Sequence, residues 1–542
     1  MNIINKKTFN KALYVYAIIA LLLPNIALCF TEKLPFWVSV ANILLPLGIY
    51  ACIMSLSKKT GKMVWWSFIL IFFAAFQLVL LYLFGKGVIA VDMFLNLVTT
   101  NPGEAMELLD NLVPAVAGVF IVYLPLLILG IVSIRSKQSD TLSLTFRKKC
   151  QRYGMGTATI GLICMLASHC QVLTQLYPAN VFYNLVLAVE RNNASVNYKK
   201  ASSTFKFDAS SIHPKDSTEI YIMVIGETAR AHNFSLYGYP RNTNPLLSKT
   251  TGLMAFDHVT TQSNTTHKSV PMLLSAASAE NFERLFHEKG ILAAFREAGF
   301  HTVFVSNQLP NHSFIDFLGQ QADEWQFIKT QAISYDVNLL PILDRILSQK
   351  HQKLFIVLHT YGSHFNYKDR YPRSMAYFKP DDKSDANPEN RQDLLNAYDN
   401  TIRYTDFVLH GIITRLQKRG GMSAMLYTSD HGENIFDDSR KLFLHASPRA
   451  SQYELHVPFL VWTSQSYKQQ EPTAVNSLVK NLHREIQSSR SAFHTMLTLG
   501  GINTRYLEET LSVASPKYKP APLLYLNDHD KPIPQSECGF DN

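Results

Sequence analysis

Five short segments of this 542-residue chain carry side chains that could hold a divalent cation and support nucleophilic chemistry. The run Tyr427-Thr428-Ser429-Asp430-His431-Gly432-Glu433 follows an apolar stretch, Ala424 to Leu426, that reads as a buried strand. It sets a carboxylate and an imidazole side by side at a strand's carboxyl end, where ligands collect in open α/β sheets. Glu227 follows the apolar run Ile220–Ile225 and Gly226, placing a second carboxylate at a second strand end. Thr266 lies in Ser263-Asn264-Thr265-Thr266-His267-Lys268-Ser269-Val270-Pro271. Pro271 suits the first turn of a helix beginning near Ser269, which would put Thr266 in the turn before it. His359 and His364 flank a Gly turn after the strand Leu354–Leu358, and His445 sits in a loop beyond Asp430.

Together these loops bring Glu, Thr, Asp and His to one end of a sheet. A divalent ion on Glu227, Asp430 and His431 would leave one position for Thr266. Threonine is a weak nucleophile, and metal coordination is one way to activate it. The same ion would offset charge on an approaching phosphoryl oxygen. Oxygen and nitrogen donors without a thiolate fit catalytic zinc, and manganese is compatible with them.

Each residue alone also has a structural explanation. Glu227 suits a helix amino terminus. Thr265, Thr266 and Ser269 are ordinary caps. A histidine at a strand end is often part of the core, and His445 suits an exposed loop. His456 and His267 read as structural or surface residues.

The elements that must position these groups belong to an α/β domain. Helical patterns at Lys289–Ala298, Leu339–Leu347 and Ala397–Arg415 alternate with strands at Ile220–Ile225, Thr302–Val305, Leu354–Leu358, Ala424–Tyr427 and Val457–Trp462. That alternation predicts a mainly parallel sheet between helices. Lys379–Asn390 reads as a surface loop.

The first third of the chain is different. The sequence is 47% hydrophobic and only 17% charged, and the apolar residues concentrate in five runs near Ala12–Phe30, Phe36–Leu56, Trp66–Phe84, Leu112–Ile134 and Met155–Leu173. A bilayer crossing needs about 20 apolar residues. The first run has basic residues before it, as a signal peptide does, but no clear cleavage site, so it reads as an uncleaved helix. Lys6, Lys7 and Lys11, then Lys58, Lys59 and Lys62, then Arg135, Lys137, Arg147, Lys148, Lys149 and Arg152 fall on one side. Lys33 alone, and Lys86 beside Asp92, Glu104, Glu107 and Asp110, fall on the other. The positive-inside rule puts the amino terminus in the cytoplasm, and five crossings put the α/β domain outside, which in a Gram-negative cell is the periplasm. The expected organisation is residues 1–175 as a five-helix transmembrane domain, 176–217 as a bridge and linker, and 218–542 as the outer domain. In the bridge, Tyr177–Arg191 is amphipathic. It suits a helix lying on the membrane or one packed on the outer domain.

The net charge of +9 suits a protein working against anionic lipid, or follows equally from the cytoplasmic loops alone, and no basic-aromatic pattern points to nucleic acid. Of six cysteines only Cys538 belongs to the outer domain. That domain has no internal disulfide, although its compartment permits one.

At this point the chain resembles the phosphoethanolamine transferases of Gram-negative envelopes, within the alkaline phosphatase/sulfatase superfamily. The blocks are Val224-Ile225-Gly226-Glu227-Thr228, Ser235-Leu236-Tyr237-Gly238-Tyr239-Pro240-Arg241, Asn264-Thr265-Thr266 with Ser269-Val270-Pro271, His359 to His364, and Ser429 to Glu433. The resemblance covers nearly the whole chain and implies a sulfatase-like fold for the outer domain, one or two zinc ions, an inner-membrane location and a monomer. It implies that Glu227, Thr266, Asp430 and His431 form the zinc set, with Thr266 taking up phosphoethanolamine. His364 and His445 would bind a second zinc or the substrate, with His359 a lesser member of that group. Asn307, Gln308 and Thr265 are further substrate-binding candidates. The implied donor is phosphatidylethanolamine, and the implied acceptor is lipid A or the lipopolysaccharide core.

Two departures bear on the acceptor. Members that modify lipid A and confer polymyxin resistance carry periplasmic disulfides, one just after the nucleophile, where this chain has Met272. They also carry a lysine cluster after the next strand, where this chain reads Ser306-Asn307-Gln308-Leu309-Pro310. Tyr367 to Pro372 and Tyr398-Asp399-Asn400 look closer to a cysteine-poor branch that includes enzymes modifying core sugars. Rival readings are a phosphoglycerol transferase, a membrane-anchored phosphodiesterase or sulfatase, and a non-catalytic glycolipid sensor. Ser269-Val270-Pro271-Met272-Leu273 lacks the Arg of a sulfatase nucleophile motif.

Overall fold

The computed structural model describes residues 8–32, 34–84, 87–99, 102–136, 141–330, 333–349, 351–385, 387–447 and 449–539. Lys6, Lys7, Lys33, Lys86 and Lys137 lie outside them. The chain divides into two compact units: Met1–Val98 with Leu108–Glu190, and Thr99–Glu107 with Arg191–Asn542. The division falls inside the helix Ala179–Ala201, so the polar stretch 192–217 is helical in its first third. It later pairs Ser210–Ser211 with Ile502–Asn503.

The first unit is a bundle of apolar helices. Phe9–Thr31, Phe36–Met54 and Val113–Arg135, the last within the helix Pro102–Arg135, are long and apolar enough to cross a membrane. Thr60–Trp66 and Phe68–Tyr82 meet at a 64° bend and make a fourth crossing if taken as one. Against the five crossings expected, three or four helices among the described residues qualify. The fifth run, Met155–Leu173, is helical only to Ala167, in a helix that begins at Leu144 among Arg147, Lys148, Lys149 and Arg152. Its apolar part is too short to qualify alone.

That helix nevertheless packs tightly and antiparallel on Phe36–Met54. A Cβ on Gly48 would come within 2.4 Å of Ala158 N and Gly154 O, and one on Gly161 within 2.5 Å of Leu45 N. Backbones this close exclude any side chain, as small residues do between membrane helices. Asn25 and Asn42 link the first two helices: Asn25 Nδ2 donates to Asn42 O at 2.8 Å, and both side chains hold the Tyr177 backbone.

The second unit is built on a seven-stranded sheet. Its strands are β1 (Glu219–Gly226), β2 (Leu253–Phe256), β3 (His301–Ser306), β4 (Glu324–Phe327), β5 (Lys353–His359), β6 (Met422–Ser429) and β7 (Phe459–Thr463). They lie in the order β2-β7-β6-β1-β5-β3-β4. Neighbours are parallel except at β7, which runs against both β6 and β2. The expected strands are all present, and β2 and β4 are additional. β1 is buried along its whole length, as a central parallel strand covered on both faces must be. Tyr221, Met223 and Ile225 face a core shared with Thr266–Leu274, Ile291–Glu297 and Ser488–Leu499. Ile220, Ile222 and Val224 face one shared with Leu339–Ser348 and Arg391–Arg419. The result is a three-layer α/β/α domain.

Candidate active site

Strand register places the chemistry. Gly226 of β1 pairs with Ser429 of β6, so the next residues, Glu227 and Asp430-His431, leave the sheet side by side. Neither alternative explanation for the flanking residues is found. Glu227 is followed by a three-residue turn, Ala231–Asn233, rather than an α-helix. Thr265 precedes a helix but makes no side-chain capping bond, and its hydroxyl instead meets Ser263 Oγ at 3.1 Å. The helix itself is Thr266–Leu274, beginning one turn earlier than Pro271 suggested. The Thr265 carbonyl accepts from Ser269 N at 3.0 Å and so closes the first turn ahead of the proline. Thr266 is thereby the first helical residue, at the positive end of the helix dipole.

Ligand-type atoms of Glu227, Asp430 and His431 all lie within 4.8 Å of one another, in side chains that are buried. His431 Nε2 is 3.5 Å from Glu227 Oε1 and 3.3 Å from Asp430 Oδ2. Thr266 Oγ1 is 3.2 Å from Glu227 Oε1 and 3.1 Å from His431 Nε2. Donors about 2.0–2.1 Å from a tetrahedral zinc are about 3.3 Å apart, so these spacings fit the ion. Asp430 Oδ2 is buried without a hydrogen-bond partner, a costly state that a cation would relieve. His431 Nδ1 donates to Gly432 O at 2.9 Å, which fixes the tautomer and leaves Nε2 for a ligand. Burial raises the Asp430 carboxyl. Burial lowers the His431 imidazole, but the Asp430 and Glu227 carboxylates outweigh it and hold it above its ordinary value.

Beside this cluster the His445 ring lies 4.2 Å from the His431 ring and 5.9 Å from that of His364. Burial pushes His364 down to about 4 and His445 to about 3, so both are neutral at physiological pH. His445 Nδ1 is 3.0 Å from Glu433 Oε1, and Tyr367 donates to the other Glu433 oxygen at 2.9 Å. Arg230, itself buried, pairs with Asp437 at 2.5 Å and donates to the Glu433 carbonyl at 3.0 Å, bracing the loop that carries these groups.

His359 stands elsewhere. It is fully buried, with Nδ1 3.1 Å from Ser306 Oγ and Nε2 accepting from Gln308 at 3.1 Å. The same Gln308 nitrogen lies 3.1 Å from Glu227 Oε2 and 2.9 Å from Thr360 O, so its two hydrogens are shared among three acceptors. His359 therefore backs a metal-cluster carboxylate through Gln308. Asn307 turns away to Asp336 Oδ1, 2.7 Å, and Ser334 O. Sequence reasoning missed the supporting roles of Glu433, although it stands in the Asp-His motif, and of Thr228, Tyr367 and Tyr398.

A second group, His301, Glu324 and His351, gathers at the opposite, amino-terminal edge of β3, β4 and β5. Its two imidazoles stack 3.9 Å apart with 10° between their planes. One ion cannot lie in both ring planes, so this arrangement is not a metal site.

Comparisons with known proteins identify relatives of this fold. Residues 219–502 match the Sulfatase family. The phosphoethanolamine transferase EptA of Escherichia coli K12 is 31% identical over 298 residues, covering 53% of this chain and 54% of that one. The chain thus spans about half the length of the curated relatives it matches. The zinc complex of the periplasmic domain of E. coli EptC superposes with a TM-score of 0.56 at 25% identity, over 61% of this chain and 96% of that domain. The integral membrane lipooligosaccharide phosphoethanolamine transferase A of Neisseria meningitidis shares the fold over 92% of this chain and 97% of its own, with a TM-score of 0.68 at 19% identity.

Proposed function

Because the chain belongs to the sulfatase family through residues 219–502, we propose that it is a membrane-anchored phosphoethanolamine transferase acting through Thr266. The observation that carries this is the position of Thr266 Oγ1 at the head of its helix, 3.2 Å from Glu227 and 3.1 Å from His431. The relatives' names supply the group transferred.

The donor is phosphatidylethanolamine and the acceptor an envelope glycolipid, lipid A or the lipopolysaccharide core. A zinc ion on Glu227, Asp430, His431 and Thr266 would stabilise the threonine alkoxide and offset charge on a phosphoryl oxygen. Thr266 Oγ loses its proton and attacks phosphorus, and the bond from phosphorus to the diacylglycerol oxygen breaks. That oxygen takes a proton as diacylglycerol leaves. An acceptor oxygen then attacks the same phosphorus and breaks its bond to Thr266, whose hydroxyl regains a proton. His364 and His445, both neutral, present nitrogen donors to a second zinc or to the phosphoethanolamine group, and Thr265, next to Thr266 in the chain, is a further substrate-binding candidate.

The membrane unit holds this chemistry at a surface where both substrates are lipids. The helix Leu144–Ala167 lies antiparallel to Phe36–Met54 over Leu45 to Cys52. If the first helix leaves the cytoplasm and the second returns, the antiparallel helix leaves again. The catalytic unit then emerges in the periplasm, anchored in the inner membrane as a monomer.

Mass spectrometry of lipid A, core oligosaccharide and periplasmic glycans from cells expressing wild type or Thr266→Ala tests the proposal. A phosphoethanolamine increment is expected in one fraction with wild type, and its loss by at least ~10³-fold with the variant. Equal increments with a folded variant, or none with folded, zinc-loaded wild type, would overturn it.

A further inference from the structure

Thr228 has φ +60° and is fully buried. A β-branched residue in the left-handed region is a genuine outlier, costing on the order of 1–3 kcal/mol, and such strain persists only where the surroundings over-determine it. Here they do. Tyr398 OH donates to Thr228 O at 2.7 Å and accepts from Arg230 N at 2.9 Å. Ala229 N donates to Ser429 Oγ at 2.8 Å. On the other side Gly362 approaches so closely that a Cβ there would lie 2.5 Å from Glu227 O.

The strained conformation has a consequence for the metal cluster. Thr228 N donates to Asp430 Oδ1 at 3.1 Å, and Thr228 Oγ1 donates to Glu227 Oε1 at 2.7 Å. One residue therefore ties together two carboxylates that come from different strands, β1 and β6. At φ +60° the N–H and the Cβ branch diverge about the N–Cα bond, so the amide reaches Asp430 while the hydroxyl reaches Glu227. The bond to Asp430 engages Oδ1, leaving unpartnered Oδ2 directed to the cluster.

We propose that Thr228 is a positioning residue whose left-handed backbone and hydroxyl fix the spacing of Glu227 and Asp430 for zinc. This rests on the zinc reading above. Outer partners of metal ligands orient those ligands and tune affinity without touching the ion. Thr228 differs from the usual partner in serving two ligands at once.

Zinc affinity of the full-length protein, measured by competition with a chromophoric chelator, tests it, with the melting temperature of the zinc-free protein recorded alongside. Thr228→Val keeps the branch and removes the hydroxyl; Thr228→Ser keeps the hydroxyl; Thr228→Gly removes the hydroxyl and relieves the backbone strain. The valine and glycine variants are expected to bind zinc roughly 10- to 100-fold more weakly, and the serine variant within a few-fold of wild type. The glycine variant should melt no lower than wild type when zinc-free, which separates positioning from folding and keeps the test valid if the valine variant misfolds. Wild-type affinity in the glycine variant overturns the role of Thr228 and leaves the zinc reading standing. Failure of the wild type itself to bind zinc overturns both.

Discussion

Glu433 holds His445 through a single 3.0 Å contact from Oε1 to the imidazole Nδ1, while Tyr367 occupies the other carboxylate oxygen at 2.9 Å. Burial pushes the Glu433 carboxyl up to about 8; in its ionised form it accepts from His445 Nδ1–H and fixes the ring's orientation and tautomer. In that state, and on the proposed function, Nε2 of His445 is the nitrogen left for a zinc ion or a phosphoryl oxygen, beside the His431 ring at 4.2 Å.

Glu433→Gln keeps the bond from Tyr367 but offers His445 an amide in place of a carboxylate. With its carbonyl kept on Tyr367, the glutamine turns its NH2 to His445 Nδ1, which must then accept and leave the ring proton on Nε2. Transfer to the glycolipid acceptor should fall about 10- to 100-fold, with zinc on Glu227, Asp430 and His431 retained. Steady-state transfer together with metal content by mass spectrometry checks this. Undiminished transfer would show that His445 needs no support from Glu433.

How far the sequence revealed this site depended on where each residue stands. Glu227 and Asp430-His431 were legible because they directly follow strands whose continuous apolar character marks burial on both faces. β2 and β4 were not legible. They are four-residue strands, partly exposed, at the two edges of the sheet, and their hydrogen bonds come from a neighbour rather than from a local pattern. Pro271 suggested a helix start near Ser269 because proline suits the first turn, but the Thr265 carbonyl closes a turn ahead of it. His359 and His364 share one loop in the sequence, yet one faces Gln308 and the other His445. Side-chain direction at a strand end is set by neighbouring strands, and spacing along the chain does not reveal it. The left-handed Thr228 has no composition signal at all, since its conformation is imposed by Tyr398, Ser429 and Gly362.

Far from the active site, at the amino-terminal ends of β1 and β5, His213 anchors the segment that leads into the sheet. Its Nδ1 is 2.7 Å from Glu219 Oε2 and its Nε2 3.1 Å from Glu471 Oε1. Lys353 and Tyr221 also bond Glu219. The bond to Glu219 raises His213 above its ordinary 6.5 despite burial. Burial disfavours the Glu219 charge, but the bonds from His213, Ser217 and Lys353 outweigh it and hold the carboxyl below its ordinary 4.5. A raised histidine stabilises the fold fully below its unfolded value and loses that contribution as pH climbs through the folded one. A lowered carboxylate stabilises above its unfolded value and loses that contribution as pH falls through the folded one. The melting temperature of the detergent-solubilised protein should therefore decline as pH rises from 6.5 through the raised His213 value. His213→Gln should lower the acid-side melting temperature and flatten that decline. An unchanged slope in the variant would assign the pH dependence to other groups.

In the proposed topology, the antiparallel helices of the first unit set the orientation of the chain. Four crossings would return the chain to the side of its amino terminus, whereas an odd number delivers the catalytic unit to the opposite side. The helix Leu144–Ala167 is too polar at its start to be recognised as a crossing alone, but its backbone meets that of Phe36–Met54 at Gly48, Gly154 and Gly161. A helix in such contact along an apolar crossing shares its depth in the bilayer. An amino-terminal epitope should accordingly be protected when spheroplasts are treated with protease, while a carboxyl-terminal epitope is cleaved. Gly48→Ala probes the contact directly. Its Cβ would lie 2.4 Å from Ala158 N and Gly154 O, backbone atoms that can yield only if the helices separate. Overpacking of this kind costs about 1–3 kcal/mol. The variant should lose thermal stability in detergent, and the carboxyl-terminal epitope of any protein that fails to insert its last helix should become protected. If the wild-type carboxyl-terminal epitope is itself protected, the proposed orientation is wrong, and phosphatidylethanolamine would have to reach Thr266 from the cytoplasmic leaflet.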